Sequence, residues 1–182
     1  MAYLELIIGP MFSSKTTAIL EIYKKCTFCS IPVTIINHVS DTRYDVSLLS
    51  SHDKVKAPCL QAVELKDIWP ENDTLRSSEV ILINEGQFFP DLYDIVLGML
   101  EQNKKIYICG LDGDFERKKF GQILDLIPFC DKVNKLHSIC SLCRDGTMAI
   151  FSMRLTDETE QTIVGSNNYI PVCRKCYKKN KL

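Results

Sequence analysis

Four short apolar runs, at residues 4–8, 33–36, 80–83 and 106–109, constrain this chain more than anything else in it. Each is nearly continuous in apolar and β-branched residues, which is how strands covered on both faces read. Between them lie stretches of helical periodicity, 16–29 and 91–103. Pro90 opens the second, whose stripe is Ile95, Val96, Met99 and Leu100. Alternation of strand and helix predicts an α/β fold with a largely parallel sheet. A third helical piece is expected through Ile123, Leu124 and Ile127, ending at Pro128. After about Lys132 the texture changes to short strand-like pieces, "KVNKLHSI", "TMAIFSMRL" and "QTIVG". We therefore expect an α/β nucleotide-binding part over 1–131 and a small β-rich part over 132–182, packed directly together without a long linker.

The 182 residues suffice for one domain with a small appendage, and 46% hydrophobic with 25% charged is ordinary globular composition. A net charge of −1 argues against a protein that coats nucleic acid, despite the basic "RKCYKKNKL" at the end. No apolar run is long enough to cross a bilayer and no leader precedes the first strand, so a cytoplasmic location without membrane contact is expected.

Nine cysteines, an odd number, do not make a disulfide framework in such a compartment. Cys140-x-x-Cys143 and Cys173-x-x-Cys176 are two knuckles whose four thiolates would close a tetrahedral zinc shell. With all four positions filled by protein, that zinc is expected to be structural. Cys26-x-x-Cys29 has no partner pair, and Cys26, Cys59, Cys109 and Cys130 are expected to be buried as small hydrophobes.

"LIIGPMFSSKTTAIL" has the layout of a phosphate loop, in which backbone N–H groups and a helix N-terminus face phosphate. Lys15 would reach the terminal phosphates and the Thr16 hydroxyl would hold magnesium. Ser14 stands where the G-x-x-x-x-G-K-[ST] pattern has its second glycine. If a left-handed residue is needed there, the serine costs about 1–2 kcal/mol. In "EVILINEGQFFPD" a strand ends at Asn84-Glu85, placing Glu85 at the carboxyl edge, where α/β sheets bind ligands. Glu85 could orient and deprotonate an attacking hydroxyl, with Phe88 and Phe89 beside a base. His38, His52 and His137 offer no catalytic pair by spacing.

With these segments in order, the chain resembles the type II thymidine kinases, the cellular and poxvirus-like family. The resemblance rests on "LIIGPMFSSKTT", "INEGQFFPD", "GLDGDFERKKFGQIL" and the cysteine pairs with "VGSNNYIPVCRKCY", and extends over about 3–177. It implies a RecA-like parallel sheet with a zinc-bearing lasso, ATP as donor with Mg2+, and thymidine or deoxyuridine as acceptor. A homotetramer inhibited by thymidine triphosphate (dTTP) is implied too. By the same resemblance, Gly9, Pro10, Met11, Phe12, Ser13, Ser14, Lys15 and Thr16 hold ATP, joined by Asp41, Arg43, Asn84 and Gln87. Glu85 is the catalytic proton acceptor. Met11, Phe88, Leu111, Phe115 and Tyr169 form the thymidine pocket, with Phe115 stacking on the ring. The main chain of Glu160, Gln161, Thr162, Ile163 and Val164 bonds the base edge.

The chain departs from the family pattern at Ser14, Asn84, Asp114, Lys119 and Val164, and about two extra residues follow Cys143. A neutral amide at Asn84 adds no negative charge near magnesium, although it can bond a metal-bound water, so weakened metal affinity and reduced activity are expected. Two other readings compete: a kinase-like chain that binds nucleotide and regulates without transferring phosphate, and an ATPase acting on nucleic acid.

Overall fold

The computed structural model describes residues 1–41, 48–50, 55–163 and 168–179. Arg43 and Val164 lie outside the described residues. The chain opens with β1 (Tyr3–Ile8), α1 (Lys15–Phe28) and β2 (Val33–His38), followed by β3 (Leu48–Ser50), β4 (Lys56–Pro58) and β5 (Leu60–Ala62). Then come α2 (Asp73–Ser77), β6 (Val80–Asn84), α3 (Leu92–Glu101), β7 (Lys105–Gly110) and β8 (Lys132–Lys135). The remainder is β9 (Ser138–Ile139), β10 (Met148–Ala149), β11 (Phe151–Arg154), β12 (Tyr169–Val172) and α4 (Arg174–Lys179).

Among the described residues six strands form one sheet in the order β5-β2-β6-β7-β1-β8, every neighbouring pair parallel. The two faces divide by the strand period of two. Leu4, Leu6, Ile81, Ile83, Ile106 and Ile108 pack with α3 residues Leu92, Val96 and Met99. Ile7, Ile35, Val80, Leu82 and Cys109 pack with Ile19, Leu20 and Cys26 of α1. Helices on both faces make the four runs continuous rather than alternating. No described helix is long and apolar enough to cross a membrane.

Three expectations need correction. The piece at Ile123–Phe129 is a 3-10 helix containing Pro128, which lacks the N–H that an α-helical turn needs. "KVNK" does not join the β-rich lobe but becomes β8, paired with β1 from Glu5↔Lys132 to Ile8↔Lys135. As an outer strand it is mostly exposed, so it lacks the apolar run of its neighbours. Gln161, Thr162 and Ile163 form no strand. The thiols also divide. Cys26 and Cys109 are buried as expected, but Cys59 and Cys130 are only half-buried.

Candidate active site

β7 lies between β1 and β6, so the loop after β1 and the end of β6 face each other across one strand at the carboxyl edge. At Gly9, with φ 151°, a Cβ would meet the Leu136 carbonyl oxygen at 2.4 Å, so the turn that starts the loop admits only glycine. Ser14 adopts φ 62° and ψ 26°, a left-handed conformation that a glycine, as in the G-x-x-x-x-G-K-[ST] pattern, takes without strain. Its side chain caps nothing and the first turn of α1 has no acidic residue, which suits the helix N-terminus to an anion. Lys15 is buried. Its Nζ donates to the Pro10 carbonyl at 2.6 Å and to Ser13 Oγ at 3.4 Å, so the loop solvates its own charge.

At the end of β6, Asn84 is fully buried beneath the loop. Its Nδ2 donates to Asn37 Oδ1 at 2.7 Å, while its Oδ1 accepts from the Cys109 thiol at 2.9 Å and the Thr16 hydroxyl at 3.5 Å. Asn37 Nδ2 in turn reaches Asp41 Oδ2 at 3.5 Å. The residue that departs from the family pattern is thus held by neutral groups and sits against Thr16. Glu85 takes φ 55° and ψ 42°, a strained conformation for a side-chain-bearing residue. Gln87 Nε2 donates to its Oε2 at 2.7 Å, and Gln87 Oε1 accepts from the Leu111 N–H at 2.9 Å. Gln87 therefore aims the carboxylate and anchors the segment after β7. His38 packs behind, 5.4 Å from the Phe88 ring and 4.8 Å from Phe89. Burial pushes its pKa down, and its Nδ1 accepts from the Ser40 N–H. It supports the phenylalanines and has no catalytic partner among the described residues.

One cavity borders both of these elements and the β-rich lobe. Its lining includes Met11, Phe12, Ser13, Ser14, Lys15, Thr16, Asp41, Glu85 and Gln87, and with them Phe88, Leu111, Phe115, Gln161, Thr162, Ile163 and Tyr169. Gly9 and Pro10 shape the loop from behind, Asn84 lies below, and Glu160 stays outside the lining. Phe89, expected beside a base, is instead fully buried in the core under α3.

Sequence reasoning missed several contributors. Ser152 lines the cavity and its Oγ accepts from the Met11 N–H at 2.9 Å, tying the lobe to the phosphate loop. A serine between Phe151 and Met153 in a buried strand was the available signal. Asp114, noted only as a departure, accepts at Oδ1 from the Glu116 and Lys118 N–H groups and at Oδ2 from Gln161 Nε2 at 2.8 Å. Thr17, Ser40, Ser50, Gly113 and Phe120 also line the cavity; Thr17, Gly113 and Phe120 fall within the recognised motifs, which assign them no site role.

In the lobe, the Sγ atoms of Cys140, Cys143, Cys173 and Cys176 all lie within 4.8 Å of one another. Zinc with Zn–S near 2.3 Å needs sulfurs about 3.8 Å apart, so a small contraction closes the shell. Burial pushes the Cys140 thiol up, but N–H groups of Cys143, Cys173 and Leu142 outweigh it and bring it down to about 6. The donor set fits zinc in a closed, structural site. From α4 beside it, the buried Tyr177 donates its hydroxyl to the Phe115 carbonyl at 2.6 Å, linking the metal lobe to the cavity wall.

Comparison with known proteins agrees with this geometry. A family model described as thymidine kinase matches residues 2–177. The thymidine kinase of vaccinia virus (strain Western Reserve) is 39% identical over 176 residues, covering 96% of each chain. That of sheeppox virus (strain KS-1) is 38% identical over the same length. That of Oryza sativa subsp. japonica is 38% identical over 179 residues, 96% of this chain and 65% of the plant protein. With its phosphate-loop layout, strand-end glutamate and four-cysteine lobe, this chain belongs to the thymidine kinase family.

Proposed function

We propose that this chain transfers the γ-phosphate of ATP to the 5′-hydroxyl of thymidine or deoxyuridine. The observation that carries the reading is that Lys15, Thr16, Glu85, Phe115 and Tyr169 all line one cavity. Phosphoryl transfer asks a protein mainly for alignment and charge neutralisation. Lys15 leaves the Pro10 carbonyl for the phosphates, the loop N–H groups hold them, and Phe115 stacks on the base. Met11, Leu111 and Phe88 enclose the nucleoside, and the main chain of residues 160–164 reads its edge. Glu85, aimed by Gln87, accepts the 5′-hydroxyl proton as the oxygen attacks phosphorus and ADP leaves. Magnesium, held at Thr16 with Asn84 behind it and Asp41 nearby, would supply the positive charge between the phosphates. Arg43 belongs to the same phosphate group in this reading.

The family match favours transfer over a binding-only regulatory role. The reading extends to a cytoplasmic homotetramer organised as sheet and lasso parts. It includes inhibition by dTTP, which carries both a triphosphate for one end of the cavity and a thymine for the other.

Replacing Glu85 with Gln tests it. Glu85→Gln should keep the fold and ATP binding and lose turnover by roughly 10²–10⁴-fold in a coupled ADP-release assay. Undiminished turnover removes Glu85 from the mechanism, and a wild-type chain that consumes no ATP when given thymidine and magnesium sinks the whole reading.

A further inference from the structure

Arg154, at the end of β11, is a buried cation outside the cavity lining, and among the described residues no carboxylate pairs with it. Its Nη1 donates to the carbonyls of Glu158 at 2.7 Å and Glu160 at 2.6 Å. Its Nη2 donates to the Gln161 carbonyl at 3.2 Å and the Tyr169 hydroxyl at 2.6 Å. The guanidinium carbon stands 3.6 Å from the centroid of the Phe115 ring, covering one face of it. Its Nε is buried and has no partner among the described residues. A desolvated cation held only by neutral carbonyls, a hydroxyl and an aromatic face is costly, and it persists where the surrounding segments need it.

Those segments are Phe115, the 158–161 main chain and Tyr169. Three of their residues, Phe115, Gln161 and Tyr169, line the cavity. Gln161 is fixed twice, by Arg154 at its carbonyl and by Asp114 at its side chain. We propose that Arg154 is a positioning residue for the nucleoside: its planar fork holds the 158–161 main chain, Tyr169 and Phe115 at one fixed spacing. This rests on the thymidine kinase reading above. In that reading the base stacks on Phe115, at a distance from the loop that the guanidinium sets through its contact with the ring. Lysine keeps the charge but lacks the fork and cannot hold three carbonyls and a hydroxyl together.

The test is Arg154→Lys, with zinc content measured to show that the lobe is intact. Thymidine KM should rise on the order of tenfold, as the loss of charge-assisted hydrogen bonds does, while ATP KM stays within about twofold. In Arg154→Ala, added millimolar guanidinium should restore part of the thymidine affinity. A protease specific for glutamate, applied without nucleoside, should cut after Glu158 and Glu160 faster in Arg154→Lys than in wild type. An unchanged thymidine KM in the zinc-loaded Lys variant overturns the proposal, as does a parallel rise in both KM values. If the wild-type chain phosphorylates no nucleoside, the kinase reading fails by itself. The proteolysis then decides, and equal cutting in both proteins removes the positioning role.

Discussion

At the phosphate end of the cleft, the working groups hang from the carboxyl edge of β1, β6 and β7, strands covered by helices on both faces. At the base end, Phe115 and Gln161 come from segments of little regular structure and Tyr169 from the start of the short strand β12. A four-cysteine cluster, the Tyr177 hydroxyl and the Arg154 guanidinium join them. The first end stands on Leu4, Leu6, Ile81, Ile83, Ile106 and Ile108, all 0% exposed, with polar contacts such as that of Asn84 with Asn37 added at the strand ends. The second end has a core cluster of its own, but a small one centred on the cysteines, Met153, Val172 and Tyr177. Small units of that kind depend on staples. The two ends are thus held differently, one chiefly by hydrophobic packing and the other by polar links beside a four-cysteine cluster that fits zinc.

Metal removal is the severest way to break this contrast. Chelation should free α4, release the Tyr177 hydroxyl from the Phe115 carbonyl and loosen the stacking wall. We expect thymidine KM to rise by an order of magnitude or more, while ATP still binds with nearly native affinity, measured by calorimetry on the metal-free chain. If ATP binding disappears at the same chelator concentration, the two ends unfold as one unit and the contrast fails.

The same contrast explains what could be read from the sequence. The phosphate end was legible because its parts are local: a strand, Gly9 and Lys15 within one loop, and Asn84-Glu85 at the end of one run. The cysteine pairs were legible for the same reason, each knuckle being a two-residue spacing. Tyr177 and Ser152 left almost no trace because their roles are contacts with distant segments, and Arg154 because three of its hydrogen bonds go to main-chain carbonyls, which carry no residue signal. Tyr177 meets Phe115 across 62 positions and Ser152 meets Met11 across 141. Lys132–Lys135 was misplaced for a different reason, its outer position giving a sheet strand the polar texture of a surface. Ser14 was visible as an irregularity, but only its φ of 62° turned a conditional strain into an actual one.

Asn84→Asp sharpens the phosphate end with an intermediate effect of two opposing parts. A carboxylate beside Thr16 should lower the magnesium concentration needed for half-maximal activity several-fold. The new carboxylate is fully buried and faces Asn37 Oδ1, which now accepts from the Asn84 amide. Until Asn37 turns over, that leaves two acceptors opposed, at a cost of about 1–3 kcal/mol. A fall in Tm together with a lower magnesium requirement is the expected pair of results in thermal melts and metal titrations. If neither moves, Asn84 has no part in the metal environment.

Ser14→Gly makes the smallest change and isolates backbone strain from chemistry. Glycine removes about 1–2 kcal/mol of left-handed strain but returns about 0.4–1 kcal/mol as added freedom of the unfolded chain. The net gain should be roughly 0.5–1 kcal/mol, a rise in Tm of about 1–4 °C for a chain of this size. Because the Ser14 side chain is exposed and makes no cap bond, nothing else is lost. ATP affinity should stay the same or tighten, and thymidine KM should not move, since the loop reaches the lobe through the Met11 N–H and not through position 14. A shift in thymidine KM would mean that strain in the phosphate loop is transmitted to the base end, and that the two ends are mechanically one.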